Sequence, residues 1–164
     1  IIKESDKITK VAGDILHFAR FSPEGFNITL HNISIFFTEI AYKFSRVYDL
    51  NIDFHSDEKI FLRFDKDLLE DCVHDLVRNA KEAGAKSVDI RVMPEEEFVR
   101  IVISNDGEQI PDTVIGQIFD PFVTTKSGGT GLGLANVRKI ISAHGGDIRV
   151  EGKEQTKFII SLPM

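Results

Sequence analysis

One cysteine, Cys72, stands among 164 residues. That excludes an internal disulfide framework and a cysteine-rich zinc site, and leaves a reducing compartment or indifference to redox. No long apolar run is present. The longest, around Ile33 to Phe44, is broken by Thr38, Glu39 and Lys43 and is too short and polar to cross a bilayer. A basic start leading into an apolar stretch is also lacking, because the chain opens Ile1-Ile2-Lys3-Glu4-Ser5-Asp6, so no signal peptide is expected. Nor is there an excess of positive charge. Twenty Lys and Arg against 26 Asp and Glu leave −6, which excludes a broad electrostatic grip on nucleic acid. Internal repeats and low-complexity tracts are absent. The chain does not begin with Met, so a piece of a longer protein is expected.

What is there reads as a globular domain of ordinary size with a real core: 42% hydrophobic and 28% charged residues. Ile1, Ile8, Val11, Ile15 and Phe18 recur at helical spacing, and Phe21-Ser22-Pro23-Glu24-Gly25 ends that helix. Phe26 to His31 alternates like a short strand. Asn32 is an N-cap for a helix to about Asp49, with Ile33, Phe36, Phe37, Ile40, Ala41 and Phe44 as its buried stripe. Asn51–Phe54 and Ile60–Phe64 are strands around the polar turn His55-Ser56-Asp57-Glu58. A helix from Lys66 to Ala83 stops at Gly84, and strands 87–92 and 98–104 flank an acidic turn. A short helix over 112–119, a Gly- and Thr-rich loop from Asp120 to Gly131, a helix over 132–144 and a closing hairpin, 147–150 with 156–161, complete the chain. The strands fall mostly in adjacent pairs. The fold class is therefore α+β: a two-layer sandwich with a mixed, largely antiparallel sheet covered on one face by three helices.

Chemistry gathers in three places. On the helix 66–83, Leu69, Cys72, Val73, Leu76, Ala80 and Ala83 form an apolar arc, and Asp75, Asn79 and Glu82 line one edge of it with metal-competent oxygens. Taken alone, that edge is more often an ordinary solvated one, and Cys72 is core filler. The strand Ile101-Val102-Ile103-Ser104 runs into Asn105-Asp106-Gly107, where a fixed side-chain oxygen can accept from an exocyclic amine and a glycine admits a flat ring. The strongest local signal is Gly128-Gly129-Thr130-Gly131-Leu132-Gly133-Leu134, glycines entering a helix whose N–H groups can converge on phosphates. Thr124, Thr125 and Lys126 add donors just upstream. It matches neither a Walker loop nor the dinucleotide fingerprint.

In this order the motifs resemble those of the ATP-binding catalytic domain of two-component sensor histidine kinases, within the group that includes gyrase, heat-shock chaperone and mismatch-repair ATPases. Over residues 26 to 164, Asp75-Leu76-Val77-Arg78-Asn79-Ala80 looks like the N box and Asn105-Asp106-Gly107-Glu108-Gln109-Ile110-Pro111 like the first glycine box. Phe119-Asp120-Pro121-Phe122 looks like the F box and Gly129-Thr130-Gly131-Leu132-Gly133-Leu134 like the second glycine box. The ending, Thr156-Lys157-Phe158 with Leu162-Pro163, is similar too.

The resemblance implies a Bergerat-type ATP-binding fold over 23–164, preceded by residues 1–22 as the stump of a dimerisation and phosphoacceptor helix. It implies ATP and Mg²⁺, with Asn79 as the metal ligand. Asn105 and Thr156 would hold adenine, Thr124 to Gly133 would form the ATP lid, and the further nucleotide-binding residues would be Gly107, Ile110, Thr124, Thr125, Lys126, Gly129, Gly131, Leu132 and Gly133. Asn105 departs from the usual Asp, and still accepts a hydrogen bond without charge assistance. Asp75 departs from the usual Asn, and stands either in the metal's outer sphere or as a weak general base. Glu82 lies where many kinases carry Lys, so the compensating positive charge falls to Lys126. None of His17, His31, His55, His74 and His144 begins a phosphoacceptor box, so the acceptor is expected outside this chain. His144 suits a helix C-terminus, where its charge would meet the dipole.

The implied reaction is transfer of the γ-phosphoryl group of MgATP to a histidine on the dimerisation domain. The implied partners are that domain, a response regulator receiver domain and a second copy of the parent protein, with no nucleic acid, in the cytoplasm. The alternatives on the same fold are an ATP-driven conformational switch ATPase, for which Asp75 speaks, and an anti-sigma-factor serine kinase. Val123-Thr124-Thr125-Lys126 after the F box, and the helical stump, favour the sensor kinase.

Overall fold

The computed structural model describes residues 2–20, 25–56, 59–152 and 154–164. In chain order the elements are α1 (Ile2–Arg20), β1 (Thr29–Asn32), α2 (Ile33–Tyr48), β2 (Asn51–Ser56), β3 (Phe61–Phe64), α3 (Lys66–Glu82), β4 (Ser87–Pro94) and β5 (Phe98–Asn105). There follow α4 (Asp112–Ile115), α5 (Gly133–Ala143), β6 (Asp147–Glu151) and β7 (Thr156–Pro163). The first strand is shorter than the alternation 26–31 implies. The helix expected over 112–119 closes after one turn at Gly116, and the turn expected over 21–25 falls, but for Gly25, outside the described residues.

Five strands form one sheet in the order β2-β4-β5-β7-β6. Its core face is built in rows: Ile90, Ile103 and Phe158 lie abreast, as do Val92, Ile101 and Ile160. All six are buried. Against this face pack α2, α3 and α5, which bury apolar stripes of their own. The stripe of α2 is the one its spacing predicts, and Asn32 caps it by accepting from Ser34 N–H at 3.0 Å and Ile35 N–H at 3.1 Å. On α3 the buried arc gains Val77 and Asp75 and loses Ala83, which lies at the C-cap.

One pairing differs from the sequence expectation. β2 and β3 are not partners: β2 runs parallel to β4, and β3 pairs antiparallel with β1 in a separate two-stranded sheet. His55 and Ser56 belong to β2, while 57–58 lie outside the described residues. The reason is α3, which lies between β2 and β4 in the chain and supplies the long crossover that parallel strands require.

The head of α3 is where three parts of the chain meet. The Asp65 carboxylate caps it, Oδ1 accepting from Asp67 N–H and Leu68 N–H, both at 3.1 Å, and Oδ2 accepting from Asn27 N–H at 2.8 Å. The Asp65 N–H donates to His144 Nε2 at 3.0 Å, and His144 Nδ1 donates to Ile140 carbonyl at 2.8 Å. Accepting at Nε2 and donating at Nδ1 defines the neutral imidazole, so the positive charge expected of His144 at the end of α5 is not used. Asp65→Ala is expected to lower the unfolding free energy by about 2–3 kcal/mol, from the lost cap and the orphaned Asn27 N–H. Urea unfolding checks it, with Asp65→Asn losing less.

Candidate functional site

The core rows of the sheet end in a polar one. Two residues beyond Ile103 on β5 comes Asn105, two before Phe158 on β7 comes Thr156, and the two face each other in register. Alternation keeps both on the core face, where the helices stop covering it. They form one wall of a cavity of about 490 Å³ bounded also by the end of α3, the segment 108–111, α4 and the loop 123–131. Asn105 and Thr156 are buried, at 6% and 3% exposure. Asn105 Oδ1 accepts from Gly107 N–H at 3.0 Å. Thr156 Oγ1 has no hydrogen-bond partner among the described residues, a buried hydroxyl at a cavity wall.

Of the predicted residues, Asn79, Asn105, Ile110, Thr124, Thr125, Lys126, Gly129, Gly131, Gly133 and Thr156 line this cavity. Gly107 does not. A Cβ there would meet the Ala83 carbonyl at 2.9 Å, so the glycine serves close packing of the loop on the end of α3. Glu108 N–H donates to that same carbonyl at 2.8 Å. Leu132 and Asp75 also lie elsewhere, lining a smaller cavity of about 270 Å³ with Asp71, His74 and Asn136. Asp75 is buried and takes the Arg78 guanidinium at 2.8 Å. A Cβ on Gly133 would come to 3.1 Å from that guanidinium, so α5 starts directly on the Asp75–Arg78 pair. Behind it, Tyr48 and His74 share a hydrogen bond at 2.6 Å, and burial pushes the Tyr48 hydroxyl upward in pKa.

Sequence reasoning missed Asp14, Arg78, Val114, Ile118 and Val123 as lining residues, along with Phe158. The apolar ones carry no chemical signature that marks them as lining a site. Asp14 carried no signal, being brought to the loop from 116 residues away, where its Oδ2 accepts from Thr130 Oγ1 at 2.7 Å. The loop itself is pinched by Phe122 N–H donating to Gly131 carbonyl at 2.9 Å. Gly131 has φ +66°, and a Cβ on it would overlap the Phe122 backbone, so only glycine serves. Inside the loop Lys126 N–H donates to Thr124 Oγ1 at 3.1 Å.

Across the cavity mouth, Lys126 Nζ reaches Glu82 Oε2 at 2.7 Å and Asn79 Oδ1 at 3.2 Å. No side chain caps the start of α5, which leaves its first N–H groups for an anion. The donor set thus fits a polyphosphate with a hard cation: amide and carboxylate oxygens beside Asn79, and N–H groups and an ammonium opposite. Cys72 takes no part. Burial among apolar side chains pushes its thiol far up in pKa, as expected of core filler.

Residues 64–164 match the family of histidine kinase-, DNA gyrase B- and HSP90-like ATPases. Sensor histidine kinase WalK of Bacillus subtilis (strain 168) is 29% identical over 178 residues, covering 98% of this chain and 29% of that protein. The chain spans about a third or less of the length of the curated relatives it matches. The catalytic domain of histidine kinase ThkA is similar in structure, with TM-score 0.74 and 32% identity over 84% of this chain and 95% of that one. ThkA in complex with response regulator protein TrrA gives TM-score 0.80 at 26% identity, over 99% of this chain and 48% of that one.

The loop that carries Asn105 is tied down by its neighbour. Asp106 Oδ1 accepts from Lys86 N–H at 2.8 Å and Ser87 N–H at 2.9 Å, and Oδ2 from Ser87 Oγ at 2.9 Å. The Ser87 N–H is the main reason the Asp106 carboxyl sits below its usual range; burial opposes this and the Lys86 N–H and Ser87 hydroxyl assist. A carboxyl depressed in the folded state adds stability above its unfolded pKa, about 3.9, and loses it as pH falls through the folded value. The stability gap between the unaltered chain and Asp106→Asn should therefore be largest at neutral pH and shrink below about pH 4. Urea unfolding across that range checks it.

Proposed function

The chain belongs to the histidine kinase-, DNA gyrase B- and HSP90-like ATPase family, and we propose that it is the ATP-binding catalytic domain of a two-component sensor histidine kinase. Its reaction is transfer of the γ-phosphoryl group of MgATP to a histidine of a helical dimerisation domain, to which residues 1–22 belong, with 23–164 as the catalytic unit. The observation that carries this reading is the convergence of α3, the end of β5, the start of β7 and the glycine loop on one cavity whose buried Thr156 hydroxyl has no partner within the described chain.

Each part has a task in this reading. Asn105 Oδ1 and Thr156 Oγ1 take the polar edge of adenine, with Ile110, Ile118 and Phe158 as the apolar bed for its ring. Asn79 Oδ1 would offer an oxygen to Mg²⁺, which would supply charge neutralisation for the transferring phosphoryl group. Thr124, Thr125, Lys126 and the N–H groups near Gly129, Gly131 and Gly133 hold the phosphates. Little covalent chemistry falls to the protein, so catalysis is positioning and charge.

Asp75 separates this reading from a switch ATPase. A carboxylate activating water must face the phosphates, whereas Asp75 lines the smaller cavity and is engaged by Arg78. It acts as a positioning residue, holding Arg78 between the two cavities. The partners in this reading are the dimerisation domain, a second copy of the parent protein and a response regulator receiver domain, as the ThkA–TrrA complex illustrates for its own kinase. No helix among the described residues is long and apolar enough to cross a membrane; in this reading the domain works in the cytoplasm, where ATP is supplied.

Two outcomes are expected. The chain by itself acquires no phosphoryl label and releases little γ-phosphate, yet labels a separately supplied helical domain on histidine, recognised as acid-labile and base-stable. Brisk phosphate release without any acceptor would instead favour the switch ATPase. Asn79→Ala, at the edge and not the centre of the α3 arc, keeps the fold and loses most MgATP affinity; titration calorimetry with circular dichroism on the same sample reads both.

A further inference from the structure

The position of Lys126 carries more than a loop contact. Its Nζ lies between two oxygens of α3, Glu82 Oε2 at 2.7 Å and Asn79 Oδ1 at 3.2 Å. A carboxylate and an amide carbonyl three residues apart on one helix face thus converge on a single positive centre. The other Glu82 oxygen is steered by Arg78, Nε to Oε1 at 4.0 Å. Lys126 and Glu82 are each 36% exposed, so water and a hydrated ion reach the pair from the cavity mouth.

We propose that the Lys126 ammonium is a stand-in for the divalent cation, and that Glu82 joins Asn79 as a second protein ligand of Mg²⁺ once nucleotide displaces it. This rests on the nucleotide-binding reading of the cavity. Two protein oxygens are the complement Mg²⁺ usually takes beside substrate phosphates and retained waters. Among the described residues no cluster of three or more His, Cys, Asp and Glu is able to hold a metal alone, so the phosphates complete the site. Charge gives the consequence. A carboxylate beside the phosphates repels them unless a cation lies between, so Glu82 makes nucleotide binding depend steeply on metal. Lys126 keeps the two oxygens neutralised in the absence of nucleotide. When the metal arrives, the ammonium is released toward the phosphates and the loop that carries it moves with it.

The test is the metal dependence of binding, read with a fluorescent ribose-labelled ATP analogue on the full chain, in EDTA and across a Mg²⁺ titration. Glu82→Gln is expected to raise the half-saturating Mg²⁺ at least roughly tenfold, since even outer-sphere partners cost 10–100-fold in metal affinity. In EDTA the same variant should bind the analogue as well as the unaltered chain or better. Lys126→Met should lower the half-saturating Mg²⁺ by removing the competitor. Glu82→Asp, which keeps an oxygen on a shorter arm, should fall between. An unchanged Mg²⁺ midpoint in Glu82→Gln overturns the inference, leaving Glu82–Lys126 a loop contact. So does a loss of affinity in EDTA equal to that in Mg²⁺, which marks general damage to the cavity. If the unaltered chain binds no adenine nucleotide under any condition, the reading of the cavity falls and the inference with it. Metal-insensitive variants of a nucleotide-binding chain remove the inference alone.

Discussion

The Asp65 carboxylate is the joint on which the rest of the fold depends. It is buried, at 6% exposure, and a buried carboxylate is costly unless hydrogen-bonded. Here it accepts three backbone N–H groups at the positive end of α3, while its own N–H goes to His144. Four segments are thereby indexed to one another: the chain before β1, the β3–α3 junction, α3 itself and the end of α5. With the head of α3 fixed, and its tail stitched to the β5 loop through Ala83 and Glu108, Asn79 has one place relative to Asn105. The separation of Asn79 from Asn105 across the cavity is a property of this scaffold rather than of the loop that covers it.

Charge along α3 follows from that placement. Asp75, Arg78, Asn79 and Glu82 follow at intervals of three, one and three, so they share one side of the helix. Arg78 pairs with Asp75 at 2.8 Å and reaches Glu82 only at 4.0 Å, so its charge is committed to the buried end. Glu82 is left to a cation from outside α3. Lys126 supplies it, from a loop brought within reach by the Phe122–Gly131 hydrogen bond. The site therefore contains a carboxylate whose partner is tethered through glycine-rich chain, an arrangement a second cation is able to disrupt.

Most of the scaffold was legible in the sequence, because its signals are local. Asn32 as a cap, the α2 stripe and the stop of α3 at Gly84, φ +76°, follow from periodicity and end chemistry. Strand partners were not. Alternation marks a strand without saying which edge it meets, so β2 and β3, close in sequence, read as neighbours though α3 sends them to different sheets. The site splits the same way. Residue types with a chemical signature, Asn79, Asn105, Lys126 and Thr156, are found on the cavity. Gly107 and Leu132 shared a motif with such residues but serve packing, and a motif does not separate the two uses. Asp14 had no signature at all, since a lone Asp on an amphipathic helix is indistinguishable from any solvated one.

Magnitude separates the parts that hold from the parts that exchange. The three N–H bonds to the Asp65 carboxylate are partly buried and charge-assisted, of a class worth about 1.5–3 kcal/mol. The loop is held by single contacts. Glu82–Lys126 is a partly exposed ion pair, a class worth about 0–1 kcal/mol, and Thr130–Asp14 is a single hydroxyl bond. Lys126 and Thr130, which make these contacts, both line the cavity. A ligand that draws Thr130 inward must break its bond to α1, because one hydroxyl hydrogen serves one acceptor at a time. The Thr130–Asp14 bond is thus a direct contact between the cavity wall and α1, whereas α3 is held on the sheet by buried apolar side chains.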